Sequence, residues 1–146
     1  MIALMIYAGL REEEVTLLDM EDVTISERKG MVVVRHGKGD KRREIPLNGE
    51  ARKAISDWIE VRGSTVDRLF IGISTRLVQR IVAEIGRQAG LEVSPHDIRH
   101  TFAKRLLDAG TPLTVVSKLL GHSRLETTAR YVQPGRKDFE NAVESL

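Results

Sequence analysis

The amino-acid sequence predicts an α+β fold that is mostly α-helical, with a small three-stranded antiparallel sheet near the N-terminus. Three short runs rich in β-branched residues, DVTIS, MVVVRHG and KRREIPL, follow one another before residue 48. The rest of the chain carries apolar residues at helical spacing, and glycine and proline separate these segments. The 146 residues are enough for one domain with a hydrophobic core, and a charged fraction of 30% is ordinary for such a domain.

The N-terminal half is predicted to contain two short helices, the sheet and two longer helices. Their ranges are 1–8, 11–18, 22–47, 48–63 and 75–89. Gly9 separates the first two helices, and the glycine-containing turn GKGD joins the last two strands. Asn48 is a typical first residue for the third helix, and Gly63 ends it.

The C-terminal half is predicted to be helical throughout. A serine–proline pair begins one helix at Ser94, and a threonine–proline pair begins the next at Thr111. Gly110 and Gly121 end these two helices. The segment SRLE, which starts at Ser123, forms a capping box for a short helix. After a proline–glycine break, RKDFENAVESL predicts a last amphipathic helix.

Composition excludes several classes of function. The chain has no cysteine, so disulfides, thiolate metal sites and thiol nucleophiles are excluded, which suits a cytoplasmic protein. The apolar opening MIALMIYAGL is too short to cross a bilayer and lacks a basic leader, so no membrane association is predicted. The net charge of +2 is small, but the run RHGKGDKRR is strongly basic. It is either a solvated surface or a contact for an anionic partner.

The segment HDIRH brings His96, Arg99 and His100 to one side of a predicted helix. Cationic and near-cationic groups so close together repel one another unless an anion lies among them. Zinc binding is disfavoured, because no glutamate follows the first histidine and the charge of Arg99 would oppose the metal. A structural role in capping or packing and a phosphate-binding role both stay open on these residues alone.

Other polar residues favour a phosphate site. Arg11 and Arg99 can each donate two parallel hydrogen bonds to phosphate oxygens. His122 follows the apolar run LLG, and Tyr131 lies nine residues further on, among polar residues. Tyr7 lies within an apolar helix and is assigned to the core. Such a set could bind a phosphodiester and stabilise the charge that develops when a nucleophile attacks phosphorus.

Four segments follow one another along the chain: YAGLREEEVTLLDMEDV, GKGDKRREIPL, HDIRHTFAKRLLDAG and LLGHSRLETTARY. Together they resemble the motifs of the catalytic domain of the tyrosine recombinase (phage integrase) family, over essentially the whole chain. The resemblance implies one catalytic domain, residues 1–146, without the family's N-terminal core-binding domain. The sequence departs from the family pattern at Glu13, where a small residue is usual, and at Gln133, where a histidine is often found.

The resemblance implies a site-specific DNA recombinase or integrase that needs no metal, cofactor or ATP. Tyr131 would attack a backbone phosphate of double-stranded DNA and form a 3′-phosphotyrosyl intermediate. Glu14 would support the catalytic residues. Those residues are implied to be Arg11, Lys38, His96, Arg99, His122 and Tyr131. A basic surface for DNA phosphates would comprise Arg35, Lys41, Arg42 and Arg43.

The resemblance also implies partners and alternatives. The full-length protein would act as a homo-tetramer on two DNA sites, whereas the isolated domain could be a monomer. The C-terminal segment FENAVESL could dock into a neighbouring subunit or pack on its own domain. A cytoplasmic, nucleoid-associated protein of prokaryotic or phage origin is expected. A type IB topoisomerase and a non-catalytic DNA-binding relative are the alternatives, and a retained nucleophile, Tyr131, argues against the second.

Overall fold

The protein consists mainly of helices, with one small sheet. The computed structural model describes residues 1–35, 42–63, 67–122, 124–129, 131 and 144. The α-helices of this part of the chain are α1 (Ile2–Ala8), α2 (Glu12–Thr16), α3 (Gly49–Arg62), α4 (Thr75–Gln88), α5 (Pro95–Asp108), α6 (Leu113–Leu120) and α7 (Leu125–Ala129). The strands are β1 (Val23–Ile25), β2 (Gly30–Val34) and β3 (Arg43–Pro46). The predicted fold class is confirmed.

The sheet is antiparallel, with the strands in the order β1-β2-β3. Val32 of β2 pairs with Val23 of β1 on one side and with Ile45 of β3 on the other. Val32, Val34 and Ile45 are buried, so one face of the sheet packs on the helices. Val34 pairs with Arg43, the first residue of β3. This register carries Arg43 toward the interior, on the same face as Ile45.

The hydrophobic core lies between the sheet and the helices α1, α3 and α4. Helix α1 contacts both α3 and α5, and its Leu4, Met5 and Ala8 are fully buried. A second, smaller cluster joins α5 to α6 through the buried side chains of Phe102 and Val116. Helix α1 thus packs against both α3 and α5.

Gly9 ends α1 at a crowded place. Its φ of 63° is left-handed, and its N–H donates to the carbonyl of Leu4. A Cβ added here would lie 2.3 Å from the ring of Phe102 in α5. Only glycine therefore fits both the backbone conformation and the close approach of α5.

The predicted starts of the longer helices agree with the structure, and one predicted helix is shorter. Asn48, Ser74 and Ser94 each accept a backbone hydrogen bond as the residue before a helix. Ser94 and Asp97 form a capping box at the start of α5. The predicted helix at 11–18 is shorter, because α2 ends at Thr16 and a 3-10 turn, Met20–Asp22, follows.

Some predictions lie outside the described residues. These are the turn GKGD, the residue Ser123 of the second capping box, and nearly all of the last helix predicted from RKDFENAVESL. Among the described residues, no helix has the length and apolar character needed to cross a membrane.

Candidate active site

Arg11 lies immediately before α2 and is tied to Glu14. Its backbone N–H donates to Glu14 Oε2 at 2.9 Å, and its Nη1 donates to Oε1 at 2.9 Å. The carboxylate therefore satisfies an N-terminal amide of the helix and fixes the guanidinium with one side chain. The side chain of Arg11 stays 24% exposed and lines a cavity. Glu14 is thus the hydrogen-bond partner of both the backbone and the side chain of Arg11.

The carboxylate of Glu14 is buried and accepts from a second arginine. Arg43 donates from Nη1 to Glu14 Oε1 at 2.8 Å and from Nη2 to Oε2 at 2.7 Å. Burial alone would raise the pKa of Glu14, but the hydrogen bonds and charge of Arg43, and then those of Arg11, lower it to about 2. Glu14 is accordingly ionised across the physiological pH range.

Arg99 is the most deeply buried cation of the site. It lies in the first turns of α5, is 4% exposed, and donates to the carbonyls of Gly9 and Leu120. These carbonyls belong to the C-terminal ends of α1 and α6, where the helix dipole favours a cation. Burial, followed by the charge of Arg11, lowers the pKa of Arg99 to about 10, so the guanidinium stays protonated at neutral pH.

His122 lies just after α6 and contacts two side chains. Its Nε2 is 3.4 Å from Arg99 Nη2, and its Nδ1 is 2.8 Å from Thr128 Oγ1. Arginine only donates, so the neutral ring has its acceptor at Nε2 and its proton at Nδ1, which it donates to Thr128. Burial, then the charges of Arg99, Arg11 and Arg43, lower the pKa of His122 to about 4. The imidazole is therefore neutral at pH 7.

Tyr131 packs between two histidines. Its ring lies edge-on to His100, with centroids 4.7 Å apart, and more nearly parallel to His122, with centroids 6.4 Å apart. Its backbone N–H donates to the carbonyl of Thr128 at 3.0 Å. The turn that follows α7 therefore brings the phenol ring to the side of the site where His122 lies.

One cavity of about 730 Å³ collects most of the predicted catalytic residues. Those that line it are Arg11, His96, Arg99, His122 and Tyr131. They come from four separate segments of the chain, and Lys38 lies outside the described residues. His96 is exposed near the start of α5. The walls also include Glu12, which accepts from Gln79 Nε2 of α4 at 2.9 Å, and the exposed Glu13.

The predicted basic surface divides in two. Arg35 is ion-paired with Glu21 and Asp22, and Arg42 with Glu44, and both arginines are well exposed. Lys41 lies outside the described residues. Arg43 differs from the prediction, because its side chain is only 9% exposed and donates to Glu14 and to the carbonyl of Leu119. Its guanidinium is held inside the domain and is not available on the surface.

The sequence predicts no role at the site for Thr128 or His100, and it places Arg43 on the DNA-binding surface instead of beside Glu14. Thr128 holds the ring of His122, His100 packs on Tyr131, and Arg43 holds Glu14. His100 was the most visible, since it shares a helical turn with Arg99. In the described part of the chain, no cluster of at least three histidine, aspartate or glutamate side chains is arranged to hold a metal ion.

Comparison with known proteins identifies the family. Residues 1–137 match the model of the phage integrase family. The tyrosine recombinase XerA of Pyrococcus furiosus is 36% identical, over 99% of this chain and 53% of that protein. The tyrosine recombinase XerC of Vibrio parahaemolyticus is 35% identical, over 99% of this chain and 48% of that protein. This chain belongs to the phage integrase family, and it spans about half the length of these relatives.

Solved structures agree with this membership. The crystal structure of XerA recombinase superposes with a TM-score of 0.82 at 29% identity, over 98% of this chain and 55% of that one. XerH site-specific recombinase bound to difH substrate, in a pre-cleavage complex, has a TM-score of 0.83 at 26% identity. That superposition covers 97% of this chain and 44% of the XerH chain. The fold is that of a tyrosine recombinase catalytic domain.

Proposed function

We propose that this chain is the catalytic domain of a site-specific DNA recombinase, which cleaves and rejoins strands through a 3′-phosphotyrosyl intermediate. The observation that carries the proposal is the cavity lined by Arg11, Arg99, His122 and Tyr131. Two guanidinium groups and a phenol on one cavity suit attack on a phosphodiester better than binding alone, because binding does not need a nucleophile.

The charge of the site supports this chemistry. A tyrosine phenol has an ordinary pKa of about 10, so it is a weak nucleophile at neutral pH. Arg11 and Arg99 hold positive charge beside the cavity, which stabilises both a phenolate and the extra charge of the transition state. Because guanidinium groups supply this neutralisation, the proposed reaction needs no metal.

The proposed reaction balances its atoms and protons within the site. The phenol oxygen of Tyr131 bonds to phosphorus, and the bond from phosphorus to the 5′ oxygen breaks. Lys38 gives a proton to the leaving 5′ oxygen, and the phenol proton passes to the solvent with the assistance of His96. His122 orients the phosphate with Arg99. The phosphotyrosyl bond conserves the energy of the broken phosphodiester, so a different 5′-hydroxyl can reverse the step without ATP.

The partners follow from this activity. The substrate is double-stranded DNA, and XerH, a relative of similar fold, is described as bound to its difH substrate. Arg35, Arg42 and Lys41 would contact DNA phosphates, which positions a duplex more than it reads sequence. Strand exchange between two sites requires more than one nucleophile, so a homo-tetramer on two DNA sites is proposed for the full-length protein.

The experiment is covalent capture. The chain is incubated at high concentration with a pool of nicked duplexes of randomised sequence, from which the short fragment that carries the freed 5′-hydroxyl diffuses away after cleavage. A denaturing gel should show protein shifted by attached DNA, and the shifted band should persist in EDTA. Sequencing of the captured DNA would identify the preferred site.

Matched tyrosine variants decide the outcome. Tyr131→Phe keeps the ring and removes the nucleophilic oxygen, so it should abolish the adduct while DNA binding stays within about twofold. Tyr7→Phe is the control, because Tyr7 packs against the core and is the chain's other tyrosine. An adduct that survives in Tyr131→Phe, or one that forms only when magnesium is added, would overturn the proposed mechanism.

A further inference from the structure

The side chain of Arg43 donates three hydrogen bonds inside the domain. It begins β3, and its side chain is 9% exposed. Two of its nitrogens hold both oxygens of Glu14, and its Nε donates to the carbonyl of Leu119 at 2.8 Å. All the nitrogens of the guanidinium are therefore used inside the domain. The guanidinium of Arg43 therefore contacts residues that support the site, and it is not free to bind DNA.

Each contact of Arg43 reaches a segment that carries a functional residue. Glu14 fixes both the backbone and the guanidinium of Arg11. Leu119 lies next to Leu120, whose carbonyl accepts from Arg99. The guanidinium also packs on Gly121, where an added Cβ would lie 3.0 Å from Arg43 Nη1. Gly121 directly precedes His122, so Arg43 joins the start of α2 to the end of α6.

The buried negative charge of Glu14 explains why a second arginine is needed beside it. Glu14 is buried, and a buried carboxylate is costly unless its oxygens are paired. Arg43 pairs with both oxygens, so Arg11 can stabilise Glu14 with Nη1 and still line the cavity. Without Arg43, the guanidinium of Arg11 would be the remaining partner and would be drawn toward the carboxylate. The orientation of Arg11 toward a phosphate depends on the second arginine.

We propose that Arg43 is a positioning residue of the strand-cleavage site, which holds Glu14 and the end of α6 so that Arg11 and His122 face the same phosphate. The proposal rests on the proposed function for the identity of the reaction. It differs from the prediction made for the basic surface, in which Arg43 contacts DNA. The two roles predict opposite results in binding and cleavage measurements.

The experiment compares Arg43→Lys and Arg43→Met with the unmodified chain. If Arg43 positions the site, Arg43→Met should form the adduct about 100-fold more slowly at saturating DNA, because a misplacement of about 1 Å can lower a rate by about that factor. Its DNA affinity should be nearly unchanged. Arg43→Lys keeps the charge without the paired hydrogen bonds, so it should recover part of the rate. Arg68→Met is the control, since Arg68 also bonds a carboxylate, Asp19, and a carbonyl, that of Leu17.

A second measurement does not depend on cleavage. Inorganic phosphate is titrated into each variant, and its affinity is followed by phosphorus NMR. Affinity should fall by about tenfold in Arg43→Met and stay unchanged in Arg68→Met, a difference of about 1.4 kcal/mol. If Arg43→Met folds poorly, Arg43→Lys replaces it, because the lysine keeps a cation beside the buried carboxylate of Glu14 and loses the paired hydrogen bonds.

The outcomes separate the two proposals. A rate loss at saturating DNA together with weaker phosphate binding supports positioning. Unchanged rate and phosphate affinity in Arg43→Met would overturn it, as would a loss confined to DNA affinity with a lower salt dependence, which indicates a direct DNA contact. If the unmodified chain forms no adduct at all, the proposed function fails, and the phosphate titration still decides whether Arg43 positions Arg11.

Discussion

One buried carboxylate, Glu14, offsets part of the charge of the three arginines around it. Arg11 and Arg43 bond it directly, and its charge also acts on Arg99. Three guanidinium groups against this one carboxylate give these four side chains a net charge of +2, while the carboxylates of Glu12 and Glu13 lie on the wall of the same cavity and the low pKa of His122 keeps the imidazole neutral. Such an excess of positive charge is costly in the free protein, and an anionic ligand relieves it.

Binding of an anion should therefore change the state of His122. Burial is the largest cause of the low pKa of His122 in the free protein, and the charges of Arg99, Arg11 and Arg43 lower it further; a phosphate in the cavity would partly neutralise these charges. The ring could then keep a proton on Nε2 and donate it to the phosphate, while Nδ1 continues to donate to Thr128. Thr128 thus determines which way the ring faces in both states.

Replacement of Thr128 tests this arrangement. Thr128 is fully buried, and Thr128→Val keeps its shape but leaves Nδ1 of His122 without a partner. We expect a loss of about 1 kcal/mol in the free energy of unfolding, the usual net contribution of one hydrogen bond, because His122 is only partly buried. Adduct formation should slow by more than DNA binding weakens. Urea denaturation and the capture assay measure the two effects.

Thr128→Ser is the matched control for this change. It retains the hydroxyl and loses only a methyl group, so His122 should keep its orientation and the adduct should form at close to the original rate. Equal rates in the valine and serine variants would mean that the hydroxyl does not orient His122, and that Thr128 acts through packing alone.

At the scale of the elements, the site is assembled from helix ends. The carbonyls that hold Arg99 close α1 and α6, Arg11 precedes α2, and His122 follows the left-handed Gly121. Backbone groups at helix ends have no partner within their own helix, so they are free to hold a ligand or a side chain. The functional residues are consequently placed by where helices stop.

Gly9 allows a test of one such helix end. Gly9→Ala must adopt a φ of 63° and must also place a Cβ 2.3 Å from Phe102. The left-handed backbone costs about 1 kcal/mol for alanine, and overpacking adds about 1–3 kcal/mol. We expect a total loss of roughly 2–4 kcal/mol in the free energy of unfolding, measured by urea denaturation.

Gly90→Ala separates the two terms of that loss. Gly90 has a similar φ of 72°, and nothing lies within 4 Å of an added Cβ. It should therefore lose only the backbone term of about 1 kcal/mol. If both variants lose the same stability, the contact between α1 and α5 adapts to a methyl group, and the tight approach at Gly9 does not constrain Arg99.

The elements themselves were largely predictable from the sequence. Ser94, Asn48 and Gly121 mark helix ends by local chemistry, which tertiary packing did not override. The burial of Arg43 was not predicted, because the run RHGKGDKRR was interpreted as one basic surface. A strand places alternate residues on opposite faces, so Arg43 shares a face with the buried Ile45 and Arg42 does not. The two-residue alternation of a strand was therefore the signal in the sequence from which the burial of Arg43 could have been predicted.

At the scale of the whole molecule, local sequence patterns could not predict that the site residues lie together. Arg11 and Tyr131 lie at opposite ends of the chain, and no spacing rule brings them to one cavity. Their association was predicted through the resemblance to a family, and the fold then brought the described residues together. Lys38 remains a prediction, because it lies outside the described part of the chain.

The distribution of charge in the whole molecule determines how it should bind DNA. The exposed arginines of the basic surface, Arg35 and Arg42, are already paired with acidic side chains, and an approaching phosphate must compete with these carboxylates. A single domain also encloses only part of a duplex. We therefore expect weak binding to duplexes of arbitrary sequence, with a dissociation constant of about 10⁻⁶ to 10⁻⁴ M near physiological salt.

Salt dependence gives this prediction a measurable form. Each phosphate contact that releases a counterion contributes about 0.9 to the slope of log affinity against log salt concentration. Arg42→Gln should lower that slope by about 1, while Arg43→Met should leave it unchanged, since its guanidinium is held by Glu14 and Leu119.

Lys53→Met is a control, because Lys53 is ion-paired with Asp57 on α3, whose residues do not line the cavity. Fluorescence anisotropy at several salt concentrations measures the slope. Tight binding that does not depend on salt, or a lower slope in Arg43→Met, would contradict this division of the arginines into a surface group and an internal one.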